Sequence, residues 1–258
     1  MIEFLSNIGR RTIEFFAIAG RLSIFCGQAL FHCFTPPFYL RNLGQQFWII
    51  GYNSLPVVGL TAIFTGAVLA LQTYVGFSRF AAPNAIPTVV VVSITRELGP
   101  VLASLMVAGR VGAAIAAELG TMRVTEQIDA LETLATNPMK YLVAPRVLAG
   151  LFMLPLLVLT ADVIGIMGGF VVSSLILNFN ESAYLISTLD ALKTMDVVSG
   201  LVKAAVFGLI ITLLGCFNGY RSKGGAQGVG IATTNAVVYA SVLILFSDYF
   251  LTELFFAR

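Results

Sequence analysis

Five stretches of this sequence are each long and apolar enough to cross a lipid bilayer. They cover residues 54–77, 86–109, 145–177, 197–217 and 231–256, and the polar residues 178–196 and 218–230 between the last three are expected to be connections. A helix needs about 20 apolar residues to cross the hydrocarbon core, where each backbone polar group must find a partner within the protein. Hydrophobic residues make up 58% of the chain and charged residues 11%, against about 25% charged in a soluble domain. The sequence therefore predicts an all-α integral membrane protein with about five transmembrane helices.

The first 50 residues have a different pattern. Polar side chains recur at helical spacing along residues 1–35, at Glu3, Asn7, Arg10, Glu14 and Arg21. A helix with one narrow polar face favours the membrane interface over a crossing. Pro36 and Pro37 end this helix, and residues 38–50 form an elbow. We therefore expect an interfacial segment at 1–50 and a transmembrane domain at 51–258.

The lysines and arginines near the span ends predict the orientation. With the N-terminus in the cytoplasm, ten of them are cytoplasmic and three are external, which follows the positive-inside rule. The external three are Arg79, Lys193 and Arg258. Five crossings then place the C-terminus outside the cytoplasm.

Composition argues against several functions. The net charge of +2 gives no reason to expect nucleic-acid binding. The one histidine and three cysteines have no metal-site spacing. Residues 225–230 have the glycine spacing of a phosphate-binding loop, but Ile231 and Ala232 follow where Lys and Ser or Thr are required. Any ATP chemistry must therefore come from a partner.

Two ionisable residues, Arg96 and Glu97, lie about ten residues into the second apolar run, near the expected middle of the bilayer. A charge there costs about 3 kcal/mol by insertion scales. Successive helix positions point about 100° apart, so the two need not pair with each other. Two interpretations stay open: a polar lining for a cavity that receives a charged or zwitterionic group, and a structural ion pair.

Three more charges fall inside apolar runs: Lys203, Asp248 and Asp162. Lys203 and Asp248 have opposite charge and lie in different helices, so they are candidates for a structural pair. For Asp162 we favour a hydrogen bond to a neighbouring helix. Glycines four apart, Gly165/Gly169 and Gly215/Gly219, favour close helix packing within one protomer.

A short acidic segment, residues 125–136, follows the second run. Thr125 is placed to cap a helix, and Asn137–Pro138 stops it. Its apolar side chains form one stripe of Ile128, Leu131, Leu134 and Ala135. The pattern fits a helix that docks in a groove of a cytoplasmic protein; the alternative is packing on its own bundle. The candidate contact residues are Glu126, Gln127, Ile128, Asp129, Leu131, Glu132 and Leu134.

Several motifs resemble the MlaE family of ABC-transporter permeases. They are Arg96-Glu97-Leu98-Gly99-Pro100-Val101, Ala108-Gly109-Arg110-Val111-Gly112, residues 117–127, Asn137-Pro138, Pro145-Arg146 and Phe217-Asn218-Gly219-Tyr220. The similarity covers about residue 50 to the C-terminus. It implies a fold similar to the ABCG-like exporters, with an interfacial helix before the spans.

The resemblance also implies partners and a location. Members form homodimers in the bacterial inner membrane, and each subunit binds a cytoplasmic ATPase that holds ATP and Mg. A STAS-domain protein binds the ATPase, and a hexameric MCE-domain protein covers the periplasmic side. Such complexes move glycerophospholipids between the inner and outer membranes and maintain outer-membrane lipid asymmetry. Residues 126–135 would be the coupling helix.

The family's lipid cavity would correspond here to Leu69, Gln72, Phe77, Phe80, Arg96 and Glu97. The chain itself would perform no covalent chemistry. Two other classes of protein are alternatives: an ion-coupled secondary transporter using the intramembrane charges, and a membrane-embedded enzyme. No convincing internal repeat supports the first, and no nucleophile or metal constellation supports the second.

Overall fold

The computed structural model describes residues 2–78 and 85–256, and the described part consists of helices joined by short connections. Phe80, Arg79 and Arg258, which the sequence placed in the cavity or on the outer side, lie outside the described residues. The helices are α1 Ile2–Cys33, α2 Leu40–Ile50, α3 Leu55–Ser78, α4 Ile86–Ser93, α5 Gly99–Val107, α6 Ala113–Val124, α7 Gln127–Thr133, α8 Ala144–Leu175, α9 Glu181–Ala191, α10 Thr194–Tyr220 and α11 Gly225–Phe256. The all-α membrane fold is confirmed.

Six helical stretches in the described residues are long and apolar enough to cross a membrane. They are Thr12–Cys33, Leu40–Phe77, Ile86–Val124, Met139–Leu175, Thr194–Tyr220 and Gly225–Phe256. Five contain the predicted spans. The sixth belongs to α1, whose later part packs on the bundle through Phe25, Ala29 and Cys33. The interfacial position of α1 stays a prediction.

Two predicted connections are helical. The polar connection expected at 178–196 contains α9, and α10 already begins at Thr194. The loop expected at 218–230 shrinks to residues 221–224. In both places a polar composition concealed helix ends, since a membrane helix that extends beyond the bilayer carries polar residues in its last turns.

Glycines bring α3 close to α8 and α10 close to α6. A Cβ atom on Gly66 would collide with the carbonyl of Gly165, and one on Gly168 would collide with the carbonyl of Ile63. On α10, Gly219 packs in the same way against Ala116. Small residues allow helix backbones to approach closely in membranes. The packing interpretation of the glycine pairs is therefore confirmed within this chain.

The helix from Ile86 to Val124 is continuous but has two π-helical turns, at Ile94–Leu98 and Ala108–Gly112. It therefore runs well beyond the predicted end near Gly109. It lies alongside α10, because Gly200 packs on Thr95 and Gly215 packs on Gly112. Residues near 95 are consequently level with the first turns of α10, nearer one end of the bundle than the predicted middle.

Candidate functional site

The first π-helical turn breaks the backbone hydrogen-bond pattern at the Arg96–Glu97 pair. The N–H of Gly99 bonds to the carbonyl of Ile94, five residues earlier, and Pro100 has no N–H to donate. The carbonyls of Thr95 and Arg96 therefore lose their usual partners within the helix. α10 covers both, because Gly200 packs against the Thr95 carbonyl and Lys203 Nζ donates to the Arg96 carbonyl at 3.0 Å.

Lys203 is the centre of a charged cluster. Its side chain is 0% exposed. The ammonium also donates to Glu97 Oε2 at 2.7 Å and to Thr252 Oγ1 at 2.7 Å, and it lies 2.9 Å from Asp248 Oδ1. The expected pairing of Lys203 with Asp248 is confirmed. Glu97 and Thr252 complete the cluster, and nothing in the spacing of Thr252 predicted its place there.

Arg96 has a different partner from Glu97. Its Nε donates to Asp196 Oδ1 at 2.8 Å, and its guanidinium lies 4.3 Å from the centre of the Phe256 ring. Asp196 is buried, in the first turn of α10. Its position in the polar stretch 178–196 predicted a connection, so its role as a partner of Arg96 was not predicted. Arg96 and Glu97 thus do not pair with each other, and each has its own partner on α10.

The cluster has a buried and an exposed side. Two cations, Arg96 and Lys203, face three carboxylates: Glu97, Asp196 and Asp248. Lys203 and Asp196 are 0% and 1% exposed, whereas Arg96 and Glu97 are 32% and 38% exposed. The two most exposed charged groups of the cluster are therefore a guanidinium and a carboxylate, both held in place by buried partners.

An apolar groove of about 420 Å³ lies beside the cluster, along α3. Its lining residues are Phe64, Thr65, Val68, Leu69, Gln72 and Leu98. Leu98 follows Arg96 and Glu97 directly in the same π-helical turn. Two of the cavity residues implied by the resemblance, Leu69 and Gln72, thus line one groove. Phe77 is half-buried farther along α3 and is not among its lining residues.

Asp162 differs from the prediction. It is buried, but within the described residues its Oδ1 atom has no hydrogen-bond partner. That oxygen packs against Gly99, where a Cβ atom would collide with it. Asp162 is therefore in contact with the helix that carries the break, but this oxygen does not form the expected hydrogen bond.

The acidic segment forms a shorter helix than predicted, α7. Thr125 does not cap it: its hydroxyl donates back to Thr121 at the end of α6. The chain reverses at Glu126, which has a φ of 60°. Asp129 forms an ion pair with Arg123, and a left-handed Ala135 follows the helix.

The apolar stripe of α7 is divided between two environments. Ile128 is fully buried in the main core, and Leu131 packs against that core. Leu134 is 74% exposed. The expectation of one docking stripe is wrong for Ile128, because the bundle already covers it, and Leu131 is partly covered. Of the candidate contact residues, those that remain exposed to a partner are Glu126, Gln127, Asp129, Glu132 and Leu134.

Comparison with known proteins agrees with this architecture. The family model described as Permease MlaE matches residues 43–254. A Rickettsia felis protein named a probable ABC transporter permease protein is 57% identical over 256 residues, which cover 99% of each chain. A Haemophilus influenzae protein, named the intermembrane phospholipid transport system permease protein MlaE, is 34% identical over 257 residues, 99% of this chain and 98% of its own length.

A chloroplast protein of a plant is also similar to this chain. The protein TRIGALACTOSYLDIACYLGLYCEROL 1, chloroplastic, of Arabidopsis thaliana is 38% identical over 233 residues, 90% of this chain and 67% of its own length.

Together, the helical fold, the charged cluster beside an apolar groove and these similarities define a multi-pass membrane permease. The match to the family model spans the whole region from the elbow α2 to the last turns of α11. The chain belongs to the MlaE permease family.

Proposed function

We propose that this chain is the membrane subunit of an ABC transporter that moves glycerophospholipids between the inner and outer membranes and maintains outer-membrane lipid asymmetry. The observation that carries the proposal is the apolar groove along α3, which adjoins the Arg96–Glu97 pair through Leu98. A phospholipid joins apolar chains to a charged headgroup, so its chemistry matches both parts. The name of the Haemophilus relative refers to phospholipid transport, which supports the same substrate class.

The exposed members of the cluster suit a headgroup. Arg96 offers guanidinium donors to a phosphate, and Glu97 offers a carboxylate to an ammonium where the headgroup is zwitterionic. Both are oriented by buried partners, Asp196 and Lys203. Leu69 and Gln72 line the groove for the rest of the lipid, and Phe77 and Phe80 are assigned to the same cavity by the resemblance.

A second copy of the chain would close the groove. The outward face of α3 carries large apolar side chains that are 55–63% exposed, at Leu60, Phe64 and Val68. A homodimer with its cavity between the two copies would cover part of this face. In this arrangement, a periplasmic hexameric MCE-domain protein would receive the lipid from the cavity.

The energy would come from a separate cytoplasmic ATPase, which holds ATP and Mg and carries a STAS-domain protein. Its contact on this chain would be the exposed part of α7. The relatives named ABC transporter permeases support this over an ion-coupled transporter. We place the chain in the bacterial inner membrane, with its N-terminus cytoplasmic and its C-terminus periplasmic.

The test is reconstitution. The chain, purified from native membranes with whatever binds it, should carry an ATPase subunit, and proteoliposomes should transfer labelled phospholipid when ATP is added. Glu97→Gln should lower transfer by about tenfold or more, in line with a charged contact worth over 1 kcal/mol. Glu181→Gln, an exposed carboxylate on α9, should transfer lipid like the unmodified chain. Isolation without an ATPase, or transfer driven by a proton gradient in the absence of ATP, would disprove the proposal.

A further inference from the structure

A second pocket lies at the other end of the bundle, where α10 ends and α11 begins. Its volume is about 310 Å³. The side chains of Arg221, Ser222 and Lys223 lie on its polar side, and Ile18, Ile231 and Tyr239 lie on its apolar side. Lys203 of the charged cluster and Arg221 of the pocket are 18 residues apart along α10, which separates the two sites by about 27 Å. It is therefore separate from the groove assigned to transport.

The polar side carries positive charge without a counter-charge. Arg221 and Lys223 both line the pocket. Burial lowers the pKa of the Arg221 guanidinium, and the nearby positive charge of Arg21 lowers it further. Within the described residues, no carboxylate forms an ion pair with any of these three cations. Like charges held together in this way favour a bound anion.

Ser222 points to a ligand independently of these charges. Its side chain is 6% exposed, and in the described structure its hydroxyl oxygen is buried without a hydrogen-bond partner. A buried hydroxyl without a partner costs free energy unless a ligand or water satisfies it. Since Ser222 lines this pocket, an anion bound there would accept a hydrogen bond from its hydroxyl.

The N-terminus of α11 lies at the edge of the pocket. Gly224 and Gly225 have φ values of 85° and 69°, a left-handed turn that glycine adopts readily. This turn brings Gly228, in the first turn of the 32-residue helix α11, to the edge of the pocket. The dipole of a helix gives its N-terminus a partial positive charge, which attracts anions.

We propose that this pocket binds the phosphate of an anionic phospholipid from the adjacent membrane leaflet, as a lipid site distinct from the transport groove. The apolar side decides the source of the phosphate. Ile231 and Tyr239 are 55% and 47% exposed on the surface of a membrane-spanning helix, so an acyl chain can lie along them while the phosphate meets Arg221, Ser222 and Lys223. Basic pockets between membrane helices bind anionic headgroups in this manner.

The experiment uses the full chain in nanodiscs of phosphatidylcholine with a minor fraction of photoreactive phosphatidylglycerol. Labelling of peptides between residues 217 and 239 is measured by mass spectrometry. Arg221→Gln with Lys223→Gln should lower this labelling about tenfold or more. Ser222→Ala should lower it about threefold while leaving every charge in place.

The matched control removes two other cations, with Arg41→Gln and Lys193→Gln, and should leave the labelling unchanged. An equal loss of labelling in the control would show that the labelling depends only on the overall positive charge of the chain, and it would overturn the proposal. So would displacement of the lipid by millimolar inorganic phosphate, which would assign the pocket to a soluble anion. Unchanged labelling in the Arg221/Lys223 variant, combined with loss of a co-purifying ATPase, would assign it to a protein contact. These outcomes are independent of whether the Arg96 groove transports lipid.

Discussion

Lys203 Nζ donates a hydrogen bond of 3.0 Å to the backbone carbonyl of Arg96. In a regular helix the N–H of residue 100 would donate to this carbonyl, but Pro100 has no N–H. The same ammonium binds Glu97 on one side and approaches Asp248 of α11 on the other. One buried lysine therefore joins the broken helix to both α10 and α11. Lys203 therefore fixes the backbone at Arg96 and the side chain of Glu97, while Asp196 orients the Arg96 side chain.

Loss of this ammonium should destabilise the bundle. Lys203→Met keeps the apolar stem but leaves Glu97 and Asp248 as close carboxylates without a cation, at a cost of about 3–5 kcal/mol. We expect a clear fall in the thermal unfolding temperature of the detergent-solubilised chain. Adding Asp248→Asn should restore part of the loss by removing one charge, and Lys193→Met should change little. A Lys203→Met chain as stable as the original would contradict the central role of Lys203.

Close packing of α3 on α8 should depend on Gly66. Gly66→Ala would place a methyl group against the carbonyl of Gly165, and the helices must move apart. We expect destabilisation of about 1–3 kcal/mol, measured as thermal unfolding in detergent. Gly76→Ala on the same helix is the control, because nothing lies within 4 Å of its added Cβ atom, and it should be neutral or slightly stabilising. The prediction fails if both variants behave alike.

A new carboxylate should have different effects on the buried side of α7 and at the exposed Leu134 just after it. Ile128→Asp introduces a carboxylate into the core. It should lower the free energy of unfolding by more than about 3 kcal/mol, which is measured as a strong fall in the unfolding temperature. Leu134→Asp changes a side chain that is 74% exposed and should leave the stability of the chain unchanged. If α7 couples to an ATPase, Leu134→Asp should reduce the amount of ATPase that co-purifies. Normal recovery of the ATPase would remove Leu134 from that interface.

Filling the groove along α3 should exclude lipid. Val68→Trp adds a large side chain to a groove of about 420 Å³, and we expect at least about a twofold fall in phospholipid co-purified per chain, because the space that an acyl chain would occupy is lost. Quantitative mass spectrometry of extracted lipid measures it. Val163→Trp is the control, since Val163 is similarly exposed on α8 but does not line the groove. Equal lipid in both variants would argue against the groove as a lipid site.

Much of the fold was predictable from pattern, and the reasons are specific. The runs 145–177 and 231–256 became α8 and α11 because long apolar stretches allow no other backbone structure in a membrane. Glycine spacing correctly indicated packing at Gly165 and Gly215, because a missing side chain is itself the packing feature. Polar segments were predicted less well: α9 and the start of α10 were taken for a connection.

The sequence by itself determined the class of protein, the positions of the membrane helices and the presence of costly charges within them. Tertiary structure decided which charges meet: Arg96 with Asp196, and Glu97 with Lys203, a hundred or more residues apart. It also decided which side of α7 is exposed, because the burial of Ile128 depends on its packing against the helices of the bundle. The physical reason is that apolarity and helical period act along the chain, whereas pairing and burial depend on distances between helices that local pattern does not record.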